Sequence, residues 1–194
     1  MSIRICVFAM FAIASSVLAF GQHLEAGVFG SYGSYGLSPF PNDAVGLGGR
    51  LNINLSSNLV VEGEGSYDFK HPRFEIATVA QNLNRVDVTT FRMGIVHGNV
   101  GLKLQKKDGT YFLFIKGGVI DFHPEITTTS QVGLQLIRGP AVSSSYAKGV
   151  LYPGGGIDFH AGILGIRVDA GDEIYWSNGA RNNLRLTFGP NVRF

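Results

Sequence analysis

Short blocks of alternating apolar and polar residues recur along the chain after residue 21. In the last block, from Asn183 to Phe194, one set of alternate positions holds leucine, phenylalanine, proline and valine, and the other holds arginine, threonine, glycine and asparagine. A period of two residues is typical of β-strands with two chemically different faces. The pattern predicts strands near residues 23–32, 44–55, 59–69, 90–105, 110–122, 147–160, 163–175 and 183–194.

The connections between these predicted strands alternate between short and long. The short ones are Ser56-Ser57-Asn58, Lys106-Lys107-Asp108-Gly109 and Ala161-Gly162, and Asp-Gly is a strong hairpin signal. The others, near 33–43, 70–89, 123–146 and 176–182, are longer. In an antiparallel meander the short turns then share one end and the long loops the other, as in outer-membrane barrels.

Two kinds of barrel share this alternation and differ in which face points outward. A soluble ligand-binding barrel encloses its apolar residues, whereas a membrane barrel turns them toward lipid. Here the polar faces are rich in Gly, Ser and Asn, and only 15% of residues are charged, which is low for a water-exposed surface. Aromatic residues near block ends suit interfacial girdles: Tyr32, Tyr67, Phe69, Phe91, Tyr111, Phe122, Tyr175, Trp176 and Phe194. The sequence therefore predicts an all-β, eight-stranded antiparallel up-and-down transmembrane β-barrel.

The first 21 residues have the pattern of an export signal. Arg4 precedes an apolar run from Ile5 to Phe20, which is shorter than the ~20 residues of a membrane-spanning helix. We expect a cleaved signal peptide over residues 1–21, with a signal anchor as the alternative, and an outer-membrane β-barrel domain over 22–194. The only cysteine, Cys6, lies within the expected signal, so no disulfide is predicted in the barrel.

The last forty residues resemble a known class of proteins. Gly154-Gly155-Gly156-Ile157-Asp158-Phe159, the alternation from Leu164 to Ala170 and the block ending in Phe194 resemble small bacterial outer-membrane β-barrel domain proteins, similar in plan to the transmembrane domain of outer membrane protein A. In that class the barrel-assembly machinery recognises an alternating final strand that ends in an aromatic residue. The resemblance implies a C-terminal insertion signal at Leu186, Phe188, Val192 and Phe194, from which Pro190 departs. It also implies outer-membrane lipid and the assembly machinery as partners, and the outer membrane as the location.

The strongest candidate site is a set of charges on the predicted inward faces. They are Glu25, Arg50, Glu62, Glu64, Lys103, Lys116, Arg167, Asp169 and Arg185. A Lys or Arg on the lipid face at the membrane midplane would cost about 2–4 kcal/mol, so these residues are expected inside. An unpaired buried charge is also costly, so opposite charges should pair. We interpret them as a structural charge network in a lumen filled by side chains; the alternative is a gated ion path.

Other chemical signals are weaker. The sequence Asp-Phe-His occurs at residues 121–123 and 158–160, which offers two metal-ligand types at each copy. The two copies are expected at opposite ends of the barrel with no third ligand nearby in sequence, so no metal site is predicted. No catalytic residues and no cofactor site are predicted either. A net charge of +2 without a long basic run gives no indication of nucleic-acid binding.

The expected function is a non-enzymatic outer-membrane barrel with a structural role or a binding role carried by its loops, whose partner the sequence does not name. Three alternatives stay open: a lipid-modifying barrel enzyme, a small channel and a soluble periplasmic ligand-binding barrel. The first would need a nucleophile with a histidine and an acid on the lipid side, and the sequence shows no convincing set of that kind.

Overall fold

The computed structural model describes residues 24–35, 43–80, 85–107, 109–128, 146–176 and 179–194. The predicted signal peptide, residues 1–21, lies outside these ranges. The described chain forms eight antiparallel strands in a closed barrel. They are β1 (Leu24–Tyr35), β2 (Asp43–Asn54), β3 (Leu59–Ala80), β4 (Arg85–Gln105), β5 (Tyr111–Thr128), β6 (Tyr146–Ala161), β7 (Leu164–Trp176) and β8 (Ala180–Arg193). The described residues contain no helix that is long and apolar enough to cross a membrane.

Each strand pairs with its neighbours in sequence, and β1 closes the ring by pairing with β8. The connections β2–β3, β4–β5 and β6–β7 are tight, as predicted, and define what we call the turn end; the opposite end is the loop end. Gly109 and Gly162 have positive φ values of 74° and 68° in two of these turns, a conformation that glycine adopts without steric cost. The predicted eight-stranded meander is therefore confirmed.

Most of the large aliphatic residues face outward and the charged residues of the strands face the lumen, which also holds a buried apolar cluster that includes Ile95, Ile120 and Val150. On β7, the side chain of Ile166 is 51% exposed, whereas that of Arg167 is 1% exposed. On β5, Leu113 is 69% exposed and its neighbour Phe114 is 5% exposed. This arrangement is the reverse of a soluble barrel, which would enclose its aliphatic side chains.

Three strands, β3, β4 and β5, extend at the loop end by five residues or more beyond their predicted bounds. The segment 70–89, expected to be a loop, mostly continues the β3–β4 ladder, which runs to the pair Ala80–Arg85. β5 continues to Thr128, which pairs with Thr89. We call residues 69–80, 85–94 and 123–128 the loop-end extension.

The reason for this error lies in the local sequence of β3. The β3–β4 register shifts twice, between Asp68 and His71 and between Pro72 and Phe74. Proline lacks the N–H that a central strand requires and is confined to strand edges and bulges. At this height the described β2 has ended, so Pro72 lies on an edge strand. The interrupted alternation therefore indicated a loop where the backbone continues as a sheet.

Two of the predicted girdle aromatics are in the lumen instead. Tyr32, Tyr67, Phe69, Tyr111, Trp176 and Phe194 are exposed on the outside, as expected. Phe122 and Tyr175 are buried inside, at 0% and 2% exposure, so their assignment to the girdle was wrong. Both share the strand register of inward charges, Lys116 on β5 and Glu173 on β7, which determines their direction. Phe91 lies outside the residues whose burial is described.

Candidate functional site

Charged side chains occupy the inside of the barrel. The nine residues that the sequence places inward are all 7% exposed or less: Glu25, Arg50, Glu62, Glu64, Lys103, Lys116, Arg167, Asp169 and Arg185. Each lies at an inward position of its own strand, because successive side chains of a β-strand point to opposite sides.

The middle of the lumen contains ion pairs that span it. Arg167 on β7 donates two hydrogen bonds to Glu62 on β3, with Nη1–Oε2 at 2.5 Å and Nη2–Oε1 at 3.0 Å. The Nε atom of Arg167 donates to Oδ2 of Asp169 at 2.9 Å, and the same oxygen accepts a hydrogen bond from Nη1 of Arg50 at 2.5 Å. Since β3 and β7 lie on opposite sides of the ring, the two hydrogen bonds between Arg167 and Glu62 cross the barrel from wall to wall.

A second set of contacts continues toward the loop end. The Nζ atom of Lys116 lies 2.5 Å from Oε1 of Glu62 and 2.6 Å from Oε2 of Glu64. Nη1 of Arg185 donates to Oε1 of Glu64 at 2.9 Å and to Oε1 of Glu173 at 3.1 Å. We call these eight residues the central network: Arg50, Lys116, Arg167 and Arg185 with Glu62, Glu64, Asp169 and Glu173. Its formal charges cancel, which is the condition under which buried ions are tolerated.

A histidine-centred cluster adjoins the central network, and the sequence analysis did not select it. The two ring nitrogens of His97 face carboxylates, with Nε2 at 3.3 Å from Oδ2 of Asp68 and Nδ1 at 3.0 Å from Oε2 of Glu173. Asp68 also accepts hydrogen bonds from the hydroxyls of Tyr35 and Ser31. Asp68 shares the inward register of Glu64 on β3, and Glu173 shares that of Asp169 on β7; their joint contact with His97 could not be predicted from the sequence.

Aromatic rings lie against the cations of the central network. The guanidinium carbon of Arg167 is 4.1 Å from the centroid of the Phe112 ring, and Nζ of Lys116 is 4.2 Å from that of Phe114. Arg50 lies over Phe29 at 4.4 Å. Such cation–π contacts are stronger where the cation is desolvated. The lumen is thus filled by rings as well as by charges, although the sequence analysis expected only charged and small residues there.

Inward glycines make room for these rings. A Cβ atom added to Gly156 would lie 2.6 Å from Cζ of Phe112, and one added to Gly171 would lie 2.5 Å from Cε2 of Tyr152. Real Cβ atoms do not approach other heavy atoms so closely, so each ring packs on a position that only glycine can occupy. Part of the high glycine content therefore serves the packing of the lumen.

The turn end of the lumen holds a separate polar group. Glu25 on β1 accepts hydrogen bonds from Nδ2 of Asn52 at 2.9 Å, Nδ2 of Asn191 at 2.8 Å and Nε of Arg193 at 3.0 Å. The Nζ atom of buried Lys103 lies 5.2 Å from the centroid of the Phe112 ring, and Lys103 interacts electrostatically with Glu25. Glu25 and Lys103 thus lie beside the central network rather than in it.

The second Asp-Phe-His segment joins this polar group. Nδ1 of His160 is 3.2 Å from Oδ1 of Asp158, and its Nε2 is 3.5 Å from Oε2 of Glu25. The sequence analysis found no third ligand type near Asp158 and His160; the fold brings Glu25 to them from β1. At the first copy, Nε2 of His123 lies 3.5 Å from Oδ2 of Asp121, at the loop end, and both side chains are much more exposed.

The outer wall is a continuous apolar surface. Exposed apolar side chains lie on every strand, among them Val28, Leu47, Tyr67, Val100, Leu113, Leu151, Ile166 and Leu184. A soluble protein would not expose an apolar surface of this extent to water. The wall is suited to contact with the hydrocarbon of a bilayer.

The residues of the predicted insertion signal lie on this outer wall. Leu186, Phe188 and Phe194 are 41%, 59% and 61% exposed, and Val192 is half-buried. Pro190, which departs from the expected pattern, also faces outward and pairs with Ile166 of β7. Recognition of these residues by the assembly machinery stays a prediction.

Comparison with solved structures identifies the architecture. Ail, the attachment invasion locus protein of Yersinia pestis, superposes with a TM-score of 0.56 at 14% identity, over 89% of this chain and 97% of Ail. Ail in complex with the heparin analogue sucrose octasulfate gives a TM-score of 0.52 with the same identity and coverage. The chain has the fold of a small bacterial outer-membrane β-barrel protein. This fold and the apolar outer wall agree with the predicted location in the outer membrane.

One further structure is similar, and the two sequence comparisons find no match. Neisserial surface protein A is also similar, with a TM-score of 0.44 and 11% identity over 90% of this chain and 97% of that protein. No protein-family model matches the sequence. No curated protein sequence matches it either. The similarity therefore concerns the fold, and the role of the protein has to be argued from its own residues.

Proposed function

We propose that the protein is a non-enzymatic, non-conducting outer-membrane barrel that holds a binding surface, the loop-end extension, outside the cell. The proposal has two parts, a lumen closed to ions and a sheet that projects beyond the membrane. The observation that carries it is the length of β3, β4 and β5.

The first part rests on how the lumen is occupied. Arg167 and Glu62 join opposite walls through two hydrogen bonds, and Lys116 lies between Glu62 and Glu64. An eight-stranded barrel has an interior only wide enough for side chains. An ion moving along the axis would have to break several buried ion pairs at once, each of which is costly to disrupt.

The second part rests on strand length. β3, β4 and β5 contain 22, 21 and 18 residues, while a tilted strand needs about 9–11 to span a bilayer. Beyond Asp68, the described backbone of β3 pairs with β4 alone. The extra length lies at the loop end, which is the extracellular end in barrels of this kind. About half of these strands therefore projects from the membrane as a three-stranded sheet.

The chemistry of the extension suggests an anionic partner, and we propose a sulfated polysaccharide. The extension contains four basic residues, Lys70, Arg73, Arg85 and Arg92, and three acidic ones, Glu75, Asp87 and Glu125. Basic clusters attract anionic ligands over a distance of about a Debye length. The structure of Ail with a heparin analogue shows that a barrel of this fold can be crystallised with such a ligand.

The experiment that tests the proposal shortens the extension and leaves the barrel intact. Replacing residues 72–92 by Asn-Gly joins the paired residues His71 and Met93 through a two-residue hairpin turn. We expect cells that display the full chain to be retained on a heparin-coated surface, and cells with the shortened chain to be retained much less. Equal retention, with both proteins folded as judged by heat-modifiable migration, would refute the binding role.

A matched variant distinguishes the effect of the charge of the extension from that of its length. Arg73→Glu with Arg85→Glu keeps the length of the extension and reverses two of its basic charges. We expect retention on heparin to fall to the level of the shortened protein, and to decrease with added salt in the full chain, because exposed charges are screened. Retention that is insensitive to both changes would contradict an electrostatic binding surface.

Conductance and acyl release test the closed lumen and the proposed absence of enzymatic activity. In planar bilayers we expect no steady conductance from the purified barrel, and a stable conductance that changes in Glu64→Gln would indicate a channel instead. With labelled lipopolysaccharide we expect no acyl release. Release that is lost in His123→Asn would assign an enzyme site to the Asp121–His123 pair and overturn the non-enzymatic function.

A further inference from the structure

We propose that Glu25, Asp158 and His160 form a binding site for one divalent transition-metal ion at the turn end of the barrel. We call these three residues the turn-end triad. One imidazole nitrogen and one oxygen from each carboxylate lie within 4.8 Å of one another. The site is independent of the binding role proposed for the loop-end extension.

The donor set indicates the class of ion. Imidazole favours zinc, copper, iron and nickel, whereas carboxylates alone favour calcium, magnesium and manganese. One imidazole with two carboxylates suits a borderline ion such as Zn²⁺, whose bonds to nitrogen and oxygen are about 2.0–2.2 Å long. In tetrahedral coordination such ligands lie about 3.4 Å apart, whereas the three donor atoms of the triad, one from each residue, lie within 4.8 Å of one another. Contraction of the triad by about 1 Å would complete the site.

The histidine has coordinating capacity that the protein does not use. Neither nitrogen of His160 makes a hydrogen bond in the described structure, although both lie close to carboxylate oxygens and the side chain is only 10% exposed. A buried polar atom without a hydrogen bond is costly. An ion between the ring and the carboxylates would satisfy one nitrogen directly.

Surrounding residues hold the two carboxylates in place. Nδ2 of Asn191 donates to Glu25 at 2.8 Å and to Asp158 at 3.1 Å, so it keeps both carboxylates on one side. Because β1 and β6 are separated by β7 and β8 in the ring, a bound ion would connect strands that are not neighbours. Metal binding should therefore stabilise the folded barrel by mass action.

Two cations compete with the ion. Nε of Arg193 donates to Oε2 of Glu25 at 3.0 Å, and its side chain is 34% exposed, so it can turn outward into solvent. Lys103 interacts electrostatically with both Glu25 and Asp158 and is buried. Arg193 thus partly neutralises the negative charge of Glu25, which a bound ion would neutralise instead. Its replacement by a neutral residue should strengthen metal binding.

The first Asp-Phe-His segment provides a matched control. His123 follows Asp121 with the same spacing, but the side chains of this pair are 43% and 31% exposed at the opposite end of the barrel. A partly solvated pair of two ligands should bind Zn²⁺ far more weakly than a buried set of three, because water competes for each ligand. Equivalent substitutions in the two copies therefore differ in their expected effect.

The experiment measures Zn²⁺ binding to the folded full barrel, purified without a histidine tag, by competition with a chromogenic chelator. We expect one ion per barrel and a loss of affinity of more than about tenfold in His160→Asn, since even the loss of an outer partner typically costs 10–100-fold. His123→Asn should bind like the parent protein, and Arg193→Gln should bind several-fold more tightly. Zn²⁺ should also raise the temperature at which the folded band converts to the unfolded one in the parent, but not in His160→Asn.

Three outcomes would overturn the site. They are the absence of saturable binding at one ion per barrel, equal affinity in His160→Asn and the parent, and a larger loss in His123→Asn than in His160→Asn. If His160→Asn does not fold, Asp158→Asn removes a second ligand of the same set and should give the same loss. Unchanged binding in a folded Asp158→Asn barrel would refute the triad in the same way.

Discussion

The two walls of the same strands follow different rules. On β7, the side chain of Ile166 is exposed on the outer wall. That of Arg167, one residue later, donates three hydrogen bonds to two buried carboxylates. The outer wall needs only apolar character, because lipid chains adapt to any apolar shape. The inner wall needs particular partners at particular positions, since a buried ion without its counter-ion is strongly destabilising. The same alternation therefore specifies an outer surface that tolerates many apolar substitutions and an inner surface that tolerates few substitutions.

The largest effect is expected from breaking an ion pair of the inner wall. Arg167→Met leaves Glu62 and Asp169 buried with fewer partners, and breaking a buried pair costs about 3–5 kcal/mol. Urea-induced unfolding of the barrel in lipid vesicles would measure the loss. The double variant Arg167→Met with Glu62→Gln should recover part of it, because the second change removes the uncompensated carboxylate. If the double variant is no more stable than the single one, the pairing shown here does not determine the stability.

A charge on the outer wall should have the next largest effect. Val168→Arg places a cation on the outer wall nearer the middle of β7, where a charge in the hydrocarbon costs about 2–4 kcal/mol at the midplane. We expect reduced insertion, measured as the yield of the heat-modifiable folded band after refolding into vesicles. Val168→Leu, the matched control, should insert normally. Normal insertion of the arginine variant would mean that this face of β7 does not contact lipid.

Alanine substitutions of glycines on the two walls should differ less in their effect on the free energy of unfolding. Gly156→Ala forces a methyl group against the ring of Phe112 and the backbone oxygen of Val168, and overpacking of this kind costs about 1–3 kcal/mol. Gly149→Ala meets no atom within 4 Å and should be neutral or slightly stabilising. The comparison is made by urea-induced unfolding. Equal stability of the two variants would contradict the packing of rings on inward glycines.

The smallest effect on stability is expected at Phe194. Its side chain is 61% exposed on the outside, so deletion should change the free energy of unfolding of the refolded barrel very little. If Phe194 belongs to the insertion signal, deletion should nevertheless lower the amount of folded barrel in cell envelopes. Parallel measurement of in-cell yield and in-vitro stability separates these two effects. A normal yield in cells would remove Phe194 from the signal.

The sequence predicted the fold well because alternation is a local property. The direction of each side chain follows from its position in the strand, so the nine inward charges could be assigned before their partners were known. The same rule would have placed Phe112, Phe114 and Phe122 inside, since they share the register of Lys116. The girdle assignment instead followed distance from the block ends, which does not determine the direction of a side chain.

What the sequence could not supply is contact between distant strands. The pairing of Arg167 with Glu62 joins positions 105 residues apart, and that of Asn191 with Glu25 joins positions 166 apart. These contacts depend on strand order, register and the curvature of the closed sheet. For the same reason Glu25 could not be assigned to the second Asp-Phe-His segment. The length of β3 was missed for a local reason, the irregular register around Pro72.

The closure of β1 against β8 has a consequence for assembly. The ladder between them joins residues near the two ends of the described chain, such as Glu25 and Arg193. Contacts so far apart in sequence form slowly, because a long loop must lose its conformational freedom first. We therefore expect the β1–β8 pairing to form late, and the cations and carboxylates of the interior to stay hydrated until it does. On that expectation, closure of the barrel is the step that expels water from the lumen and gives each buried ion its permanent partner.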